Sequence, residues 1–443
     1  MAGLAVFPAR VATARISPWA VRALLRPLQA LIAAPHYLFL FTLALMLFHS
    51  PDSPFPPYDR FAFALLVFVM ILRACVRREA LQLAGPVTWP LLAILVMSLG
   101  GVLTQPYDAE NWSMFAAKWL VPFVFYQLAS YVFADAKSLR QFEIFSLIPL
   151  AYLSWTAVFF MAGAKDLVFP RYILDEGLGI HADRARGPFL QAVANGIALN
   201  LLGLVALDSF RRKRLRGVWA VLLLSTLPLA IVATKTRAVW ISFAASILIL
   251  CLTCQSRHLR QACLALSFAG VVGLSCLLSC TDHHRSLSER LEEAGPVKFR
   301  VAVYQSGWEM FLEKPLLGWG ARDMQDELAS RVRDFHQERY FFHNTYLEIL
   351  VQYGLAGLAL YLWMIVDLIR LGRSRPVHTP THNHPFLDAP FRRVWLLMLG
   401  VYLFNGSFVG MNYQFVNGFL FTMAGVLAAQ NRCLARSRNV FTR

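Results

Sequence analysis

Three parts of the chain carry arginine, lysine and histidine at spacings that could serve phosphate chemistry. The first is residues 184–195, with Arg184, Arg186, Gln191 and Asn195, and the second is residues 234–240, with Lys235 and Arg237. The third is the large loop 281–342 with the start of the following helix, which together hold Arg300, Tyr304, Arg322, His343 and Asn344. Guanidinium groups bind phosphate through paired hydrogen bonds, and helix N-termini add partial positive charge. Arg186 and Arg237 are therefore candidate phosphate ligands. The alternative interpretation is that both are anchors at a membrane interface.

His343 is the candidate proton acceptor in the third stretch. It precedes a predicted helix start, where Thr345 and Glu348 have the spacing of an S/T-x-x-E capping box. A helix N-terminus and nearby arginines disfavour a second positive charge, so we expect a neutral imidazole that can accept a proton at neutral pH. A histidine that only contributes hydrogen bonds to the cap is the alternative.

The segment before His343 has helical organisation of its own. Lys298–Glu313 is predicted to be an amphipathic helix, stopped by Pro315 and by the turn at residues 318–320. A polar helix is predicted over 321–338. Earlier in the chain, Lys118 lies within a predicted span, and its side chain either points into a polar cavity or extends to the interface.

No cofactor or metal is expected. The chain has no Asp-x-Asp motif, which argues against a metal-dependent nucleotide-sugar transferase. The Cys251 and Cys254 pair lies at the end of an apolar helix and is interpreted as packing, and the His-rich segment 376–386 is interpreted as a solvated loop.

The elements that must position these residues are membrane helices. The 443 residues are 57% hydrophobic and only 15% charged, and their mean hydropathy is +0.51, whereas about a quarter of the residues in soluble chains are charged. Apolar runs of about 20 residues predict an all-α polytopic protein. Twelve spans are predicted, at 31–49, 61–76, 86–104, 112–133, 143–163, 190–208, 217–233, 237–253, 259–280, 345–370, 389–405 and 413–431.

The net charge of +16 indicates orientation rather than nucleic-acid binding. Both tails and one set of loops are basic, including residues 211–216. The opposite short loops, 50–60, 105–111 and 406–412, contain a single basic residue, Arg60. This asymmetry places both termini in the cytoplasm. The predicted organisation is a cytoplasmic amphipathic segment 1–30, membrane helices over 31–280, a large periplasmic loop domain 281–344, membrane helices over 345–431 and a cytoplasmic tail 432–443.

The sequence resembles the O-antigen ligase and polymerase superfamily. The resemblance rests on residues 314–320 (KPLLGWG), 343–350 (HNTYLEIL) and 354–357 (GLAG), with support from 186–189 and 236–240. It covers about 298–360, and outside these segments only hydropathy is shared. The span layout with one large loop is most like the lipopolysaccharide O-antigen ligases.

The resemblance implies a membrane glycosyltransferase of the GT-C-like fold with a lateral cleft open to lipid. Its donor would be a polysaccharide on undecaprenyl diphosphate, its acceptor a sugar hydroxyl of lipid A–core, and its site the periplasmic face of the bacterial inner membrane, among membrane lipids. Carried over by motif, the catalytic residues would be Arg186, Arg237, Arg300 and His343. The predicted substrate-binding residues are Lys118, Arg184, Gln191, Asn195, Lys235, Tyr304, Arg322 and Asn344.

The residues favour a metal-independent direct displacement with inversion, in which His343 is the base and the arginines hold the diphosphate. Two alternatives share the superfamily, an O-antigen polymerase and a protein O-oligosaccharyltransferase. A transporter of lipid-linked glycan is a third, from a different class. It is disfavoured because the predicted span interiors hold almost no carboxylates for ion coupling.

Overall fold

The structure, a computed structural model, describes residues 18–49, 54–80, 82–254, 256–279, 295–332, 340–373, 386 and 388–441. These residues are helical with connecting loops, and none of them forms a strand. The helices, which we number in chain order, are α1 Pro18–Ala33, α2 Pro35–Leu45, α3 Tyr58–Arg77, α4 Thr88–Leu103, α5 Ala109–Phe115, α6 Val121–Val132, α7 Ala136–Met161, α8 Ala192–Arg211, α9 Gly217–Ala233, α10 Arg237–Thr253, α11 Arg257–Ser279, α12 Gly295–Glu313, α13 Ala321–Arg331, α14 Thr345–Arg373, α15 Ala389–Gly406 and α16 Gln414–Phe441. A π-helical segment, Ala116–Leu120, joins α5 to α6.

The fold is consistent with a helical membrane protein. Among the described helices, α7, α8 and α14 are each long and apolar enough to cross a membrane, and the bent pair Arg26–Ala33 and Pro35–Phe48 could form a fourth crossing. Large apolar side chains such as Phe61, Leu252 and Phe268 are 71–75% exposed, as is expected of surfaces that face lipid rather than water. A helix lies over each of the twelve predicted segments, while twelve crossings and the GT-C-like fold remain predictions.

Helix α8 forms the centre of the bundle. Its residues are apolar on every side, and nearly all of them from Ala192 to Ser209 are buried. A helix without a polar face must be surrounded by other helices, and α8 packs against α7, α9, α10, α15 and α16. The predicted phosphate-binding residues at its N-terminal end are therefore attached to the most enclosed element of the fold.

Helix α14 is interrupted at Gly354, where φ is 64° and ψ is −162°. The break frees the carbonyl groups of Val351 and Gln352 and the N–H groups of Leu355 and Ala356, which would otherwise pair with each other along the helix.

The loop at residues 315–320 satisfies all four groups. The carbonyls of Val351 and Gln352 accept hydrogen bonds from the N–H groups of Trp319 and Gly320, each at 3.0 Å, and the N–H groups of Leu355 and Ala356 donate to the carbonyls of Pro315 and Leu316, at 2.8 and 3.2 Å. The two halves of the motif on which the resemblance rests, residues 314–320 and 354–357, are thus hydrogen-bonding partners. Backbone irregularity within a membrane helix is tolerated where protein groups satisfy it in this way.

Helices α12 and α13 form a small domain beside the start of α14. Val303, Met310, Met324 and Leu328 are buried together with Val351 of α14. The predicted helix at 298–313 is confirmed and begins slightly earlier, at Gly295. The predicted helix over 321–338 ends at Arg331, because Val332 leaves the helical conformation. Residues 281–294 and 333–339 lie outside the described residues, as does the His-rich segment apart from Phe386, so the domain boundaries stay predictions.

The three arginines of the basic run at residues 211–214 are paired with carboxylates, of which Asp208 and Glu143 are buried. Arg211 contacts Asp208 at 2.7 Å and Asp388 at 2.6 Å, Arg212 contacts Asp208 at 2.7 Å and Glu143 at 2.8 Å, and Arg214 contacts Glu143 at 2.7 Å. These ion pairs join α7, α8 and α15 at the end of the bundle opposite the predicted site.

Candidate functional site

The first two basic stretches lie against each other, as the predicted site requires. The N–H group of Ala185 donates to the carbonyl of Ala233 at 3.1 Å, and Lys235 Nζ lies 3.7 Å from Asp183 Oδ2. The loop before α8 is therefore held against the turn between α9 and α10.

The buried guanidinium group of Arg186 is hydrogen-bonded to backbone carbonyl groups of the protein itself. Its side chain is 1% exposed, Nε donates to the carbonyl of Ile173 at 3.0 Å, and the two terminal nitrogens donate to the carbonyls of Leu178 and Asp175. Each of the three guanidinium nitrogens thus makes a bond to the loop at residues 173–178. This geometry favours a role for Arg186 in positioning that loop over the predicted paired contact with phosphate.

Asn195 and its neighbours support the same loop. Asn195 is fully buried, and its Nδ2 donates to the carbonyl of Ala185 at 2.9 Å. This hydrogen bond gives Asn195 a structural role in the loop before α8, and its contact with substrate stays a prediction. Gln191, at the N-cap of α8, and Arg184 are both half-buried.

Arg237 is presented differently from Arg186. It is the first residue of α10 and its side chain is exposed, so both its charge and the helix N-terminus are accessible to an anion. The turn that carries Arg237 is held in place because Trp240 Nε1 donates to the carbonyl of Ile231 at 2.8 Å.

His343 lies against α12, which carries Arg300 and Tyr304. Tyr304 donates its hydroxyl hydrogen to the carbonyl of His343 at 3.3 Å, and the rings of Phe299 and His343 meet edge to face with centroids 6.5 Å apart. Burial and the nearby Arg300 guanidinium lower the pKa of His343, whereas Glu348 acts in the opposite direction. This direction favours the expected neutral imidazole, with burial rather than the nearby charges as the main cause. His343 also has a φ of 49°, a left-handed conformation that is unfavourable for a residue with a side chain.

The predicted capping box is wrong. Asn344 is the N-cap of α14, and its Oδ1 accepts from the N–H groups of Tyr346 and Leu347 at 3.0 and 3.1 Å. Thr345 instead donates to the carbonyl of Val409 at 2.7 Å. Asn and Thr both serve as caps, so spacing could not decide between positions 344 and 345.

Glu348 does not take part in the cap and forms an ion pair with Lys118. The Lys118 ammonium contacts Glu348 Oε1, and the two side chains are only 11% and 13% exposed. The interpretation of Lys118 as an interfacial anchor is therefore wrong, and the alternative of a side chain directed into a polar cavity is confirmed. Sequence reasoning missed Glu348 as a site residue because its spacing had already been explained by the capping box.

A cavity that is open to solvent lies beside this pair, between α4, the π-helical segment, α13 and α14. We call it the amide cavity because side-chain amides dominate its polar lining. Its polar groups are Ser98, Asn111, Lys118, Gln325, Glu348 and Gln352, and its apolar walls include Trp119, Met324, Phe341 and Tyr353. A second, smaller cavity shares Lys118, Trp119 and Gln352 with it.

The structure places Arg322 on the surface of α13. Its side chain is 53% exposed, and its Nε lies 3.8 Å from Asp326 one helical turn away. No contact with another predicted site residue is seen for Arg322 within the described part of the chain.

His343 and Arg237 lie at the same end of the bundle. The ion pair between Arg211 and Asp388 joins the end of α8 to the start of α15, so the end of α15 lies near the beginning of α8. There Ser242 of α10 accepts hydrogen bonds from Asn200 and Asn405, at 3.2 and 3.0 Å. The loop after α15 then contacts Thr345 at the start of α14.

Within the described residues, no cluster of three His, Cys, Asp or Glu side chains could hold a metal ion. The local chemistry consists of cations, one carboxylate paired with Lys118, the imidazole of His343 and uncharged amides. This combination can bind a phosphate-bearing substrate and accept a proton.

The comparisons with known proteins found one matching family. A family model described as O-antigen ligase matches residues 219–362, about a third of the chain. The match confirms the resemblance to the O-antigen ligase superfamily, which we predicted from the motifs around His343. The matched stretch contains Arg237, Arg300 and His343, whereas Lys118 and Arg186 lie outside it. No curated protein sequence matches the chain.

Proposed function

We propose that the protein is an O-antigen ligase. It would transfer polysaccharide from undecaprenyl diphosphate to a sugar hydroxyl of lipid A–core at the periplasmic face of the inner membrane. The observation that carries the proposal is the half-buried imidazole of His343 beside Arg300, at the end of the bundle that also presents Arg237. The family match over residues 219–362 supports the same class of reaction.

The proposed reaction is a single displacement. His343 accepts the proton of the acceptor hydroxyl as its oxygen attacks the anomeric carbon of the donor sugar, and the bond from that carbon to the diphosphate oxygen breaks. Arg237 and Arg300 stabilise the negative charge that develops on the leaving diphosphate. Arg186 holds the loop at 173–178 and acts as a positioning residue. One displacement inverts the configuration at the anomeric carbon.

The decisive experiment mixes the purified protein with a lipid-linked glycan and lipid A–core, without cofactors, and determines the mass and anomeric configuration of the product. We expect ligated glycan of inverted configuration, and undiminished activity in EDTA. A product of retained configuration would contradict the single displacement.

The variant that tests the base is His343→Ala. We expect a loss of about 10²–10⁴ in rate, the usual contribution of a general base, while the thermal stability of the protein changes little. His258→Ala, at an exposed position on α11, is the matched control and should retain full activity. Near-normal transfer by His343→Ala would remove His343 from the mechanism.

The acceptor separates the proposal from its two alternatives within the superfamily. A polymerase would use a second lipid-linked repeat unit, and a protein O-oligosaccharyltransferase would use a serine or threonine of a pilin. The single large loop and the moderate chain length favour the ligase. Transfer to either other acceptor, with none to lipid A–core, would overturn this assignment.

A further inference from the structure

The amide cavity contains a polar side chain that nothing in the described part of the protein satisfies. Gln352 is 9% exposed, lines both cavities, and its side-chain amide makes no hydrogen bond to another described residue. The amide faces the open cavity, so its donor and acceptor groups are available to a ligand there. The position of Gln352 is fixed, because its backbone carbonyl accepts the hydrogen bond from Gly320 at 3.0 Å.

Other uncharged polar groups line the same cavity. The side-chain amide of Asn111 has no hydrogen-bonding partner among the described residues. Gln325 accepts from the N–H group of Tyr340 at 3.3 Å through Oε1, which leaves its NH₂ group. The hydroxyl groups of Ser98 and Tyr353 are bonded to each other at 2.6 Å.

The lining matches a neutral, polyhydroxylated ligand better than an anion. An amide both donates and accepts, as a hydroxyl group does, so an amide pairs with sugar hydroxyls. The only cation in the described lining, Lys118, is paired with Glu348, so the pair adds no net charge for an anion. Phe341, 39% exposed, offers a flat apolar surface for the carbon face of a sugar ring.

We propose that the amide cavity binds one neutral sugar ring of the acceptor, an inference that rests on the proposed transferase function. Glu348 and Gln352 belong to the first turns of α14, directly after His343. The cations at the starts of α8 and α10 lie on the other side, where α10 is bonded to the end of α15 and the loop after α15 is bonded to Thr345 of α14. A ring held there would therefore present a hydroxyl group from the first turns of α14, while Arg237 would reach the donor diphosphate from the side of α15 and Arg300 from α12.

The test is Gln352→Leu, which keeps the size of the side chain and removes its amide. We expect KM for the acceptor to rise about tenfold, which corresponds to one hydrogen bond of about 1.4 kcal/mol, with KM for the donor unchanged. Asn111→Ala, at a half-buried position, is a second variant that disturbs the core less. Gln261→Leu, the same change at an exposed position on α11, is the matched control.

Acceptors that lack single hydroxyl groups identify the bonded one. With the parent protein, we expect KM for one deoxy acceptor to be about tenfold higher than KM for the complete acceptor. With Gln352→Leu the two acceptors should have nearly the same KM, since the shared hydrogen bond can be lost only once. Variants whose acceptor KM equals that of Gln261→Leu would overturn the proposal. A rise in donor KM alone would overturn the assignment to the acceptor.

Direct binding separates this inference from the proposed function. Saturation-transfer NMR with delipidated core oligosaccharide reports binding to the full-length protein without any turnover. Loss of the signal in Gln352→Leu would support the sugar subsite even if no transfer to lipid A–core were found. Equal signals from the parent protein and both cavity variants would overturn the subsite even if the protein proved to be an active ligase.

Discussion

The imidazole of His343 is influenced by two opposite charges, since Arg300 lowers its pKa and Glu348 raises it. Burial also lowers this pKa, so we expect the acidic limb of the kcat/KM profile to have its midpoint below the ordinary value of 6.5. Activity should rise with pH through that midpoint and then remain level, because only the neutral form accepts a proton.

Two substitutions should move this limb in opposite directions. Glu348→Gln removes the group that raises the pKa and should shift the limb to lower pH, whereas Arg300→Gln removes a group that lowers it and should shift the limb to higher pH. The pH dependence of kcat/KM for the three proteins is the measurement. A limb that stays in place in both variants would show that it does not report His343.

Arg237 tests the requirement for a guanidinium group rather than for charge alone. Arg237→Lys retains the positive charge and loses the paired hydrogen bonds to phosphate, so we expect kcat/KM to fall about tenfold. Arg216→Lys, at an exposed position in the opposite end of the bundle, should have no effect. Full activity of Arg237→Lys would mean that phosphate is not bound there through paired bonds.

Residue types and spacing indicated the candidate cations and the candidate histidine of the site. They did not indicate which of these side chains form hydrogen bonds inside the protein. Arg186 and Arg237 have similar sequence contexts, yet one is buried against three carbonyl groups and the other is exposed. Such partners come from loops whose course is not encoded in a short motif. Gln352 was overlooked because a single glutamine in an apolar run has no distinctive pattern.

At the scale of the elements, the break in α14 is the feature that organises the site. A Cβ atom at Gly354 would lie 2.4 Å from the carbonyl carbon of Leu316, and φ there is in the left-handed region. We expect Gly354→Ala to lower the free energy of unfolding by about 2–4 kcal/mol, as measured by thermal or denaturant unfolding of the purified protein.

Gly400 of α15 provides the control for this substitution. Nothing lies within 4 Å of a Cβ atom placed there, and alanine is the better helix former, so Gly400→Ala should be neutral or slightly stabilising. Equal stability of the two variants would contradict the close approach between the loop at 315–320 and α14.

Hydrophobic runs predicted the helices well because burial of apolar residues in a helix depends on a local pattern. A helix covers each predicted segment, including α12 before Pro315. The break at Gly354 was not predicted, since glycine is tolerated within membrane helices. Its cause is a loop 34 to 39 residues earlier in the chain, which the local pattern does not contain.

At the scale of the whole molecule, the predicted orientation can be tested by labelling single cysteines. In a protein without its seven native cysteines, a membrane-impermeant maleimide added to intact spheroplasts should label Arg322→Cys on α13 and spare Arg216→Cys at the opposite end. Both positions are exposed, so access depends on the side of the membrane. The reverse pattern of labelling would contradict a periplasmic site, and labelling of both after lysis is the control.

The pairing of Arg211, Arg212 and Arg214 with Asp208, Glu143 and Asp388 has a consequence for biogenesis. Arginines next to a span retain that end of a nascent segment in the cytoplasm, and acidic residues contribute little to this selection. During insertion the three arginines would therefore act as unpaired charges. After helix assembly the same three charges are neutralised by three carboxylates, so they bind helices together and contribute little to attracting anionic lipid headgroups.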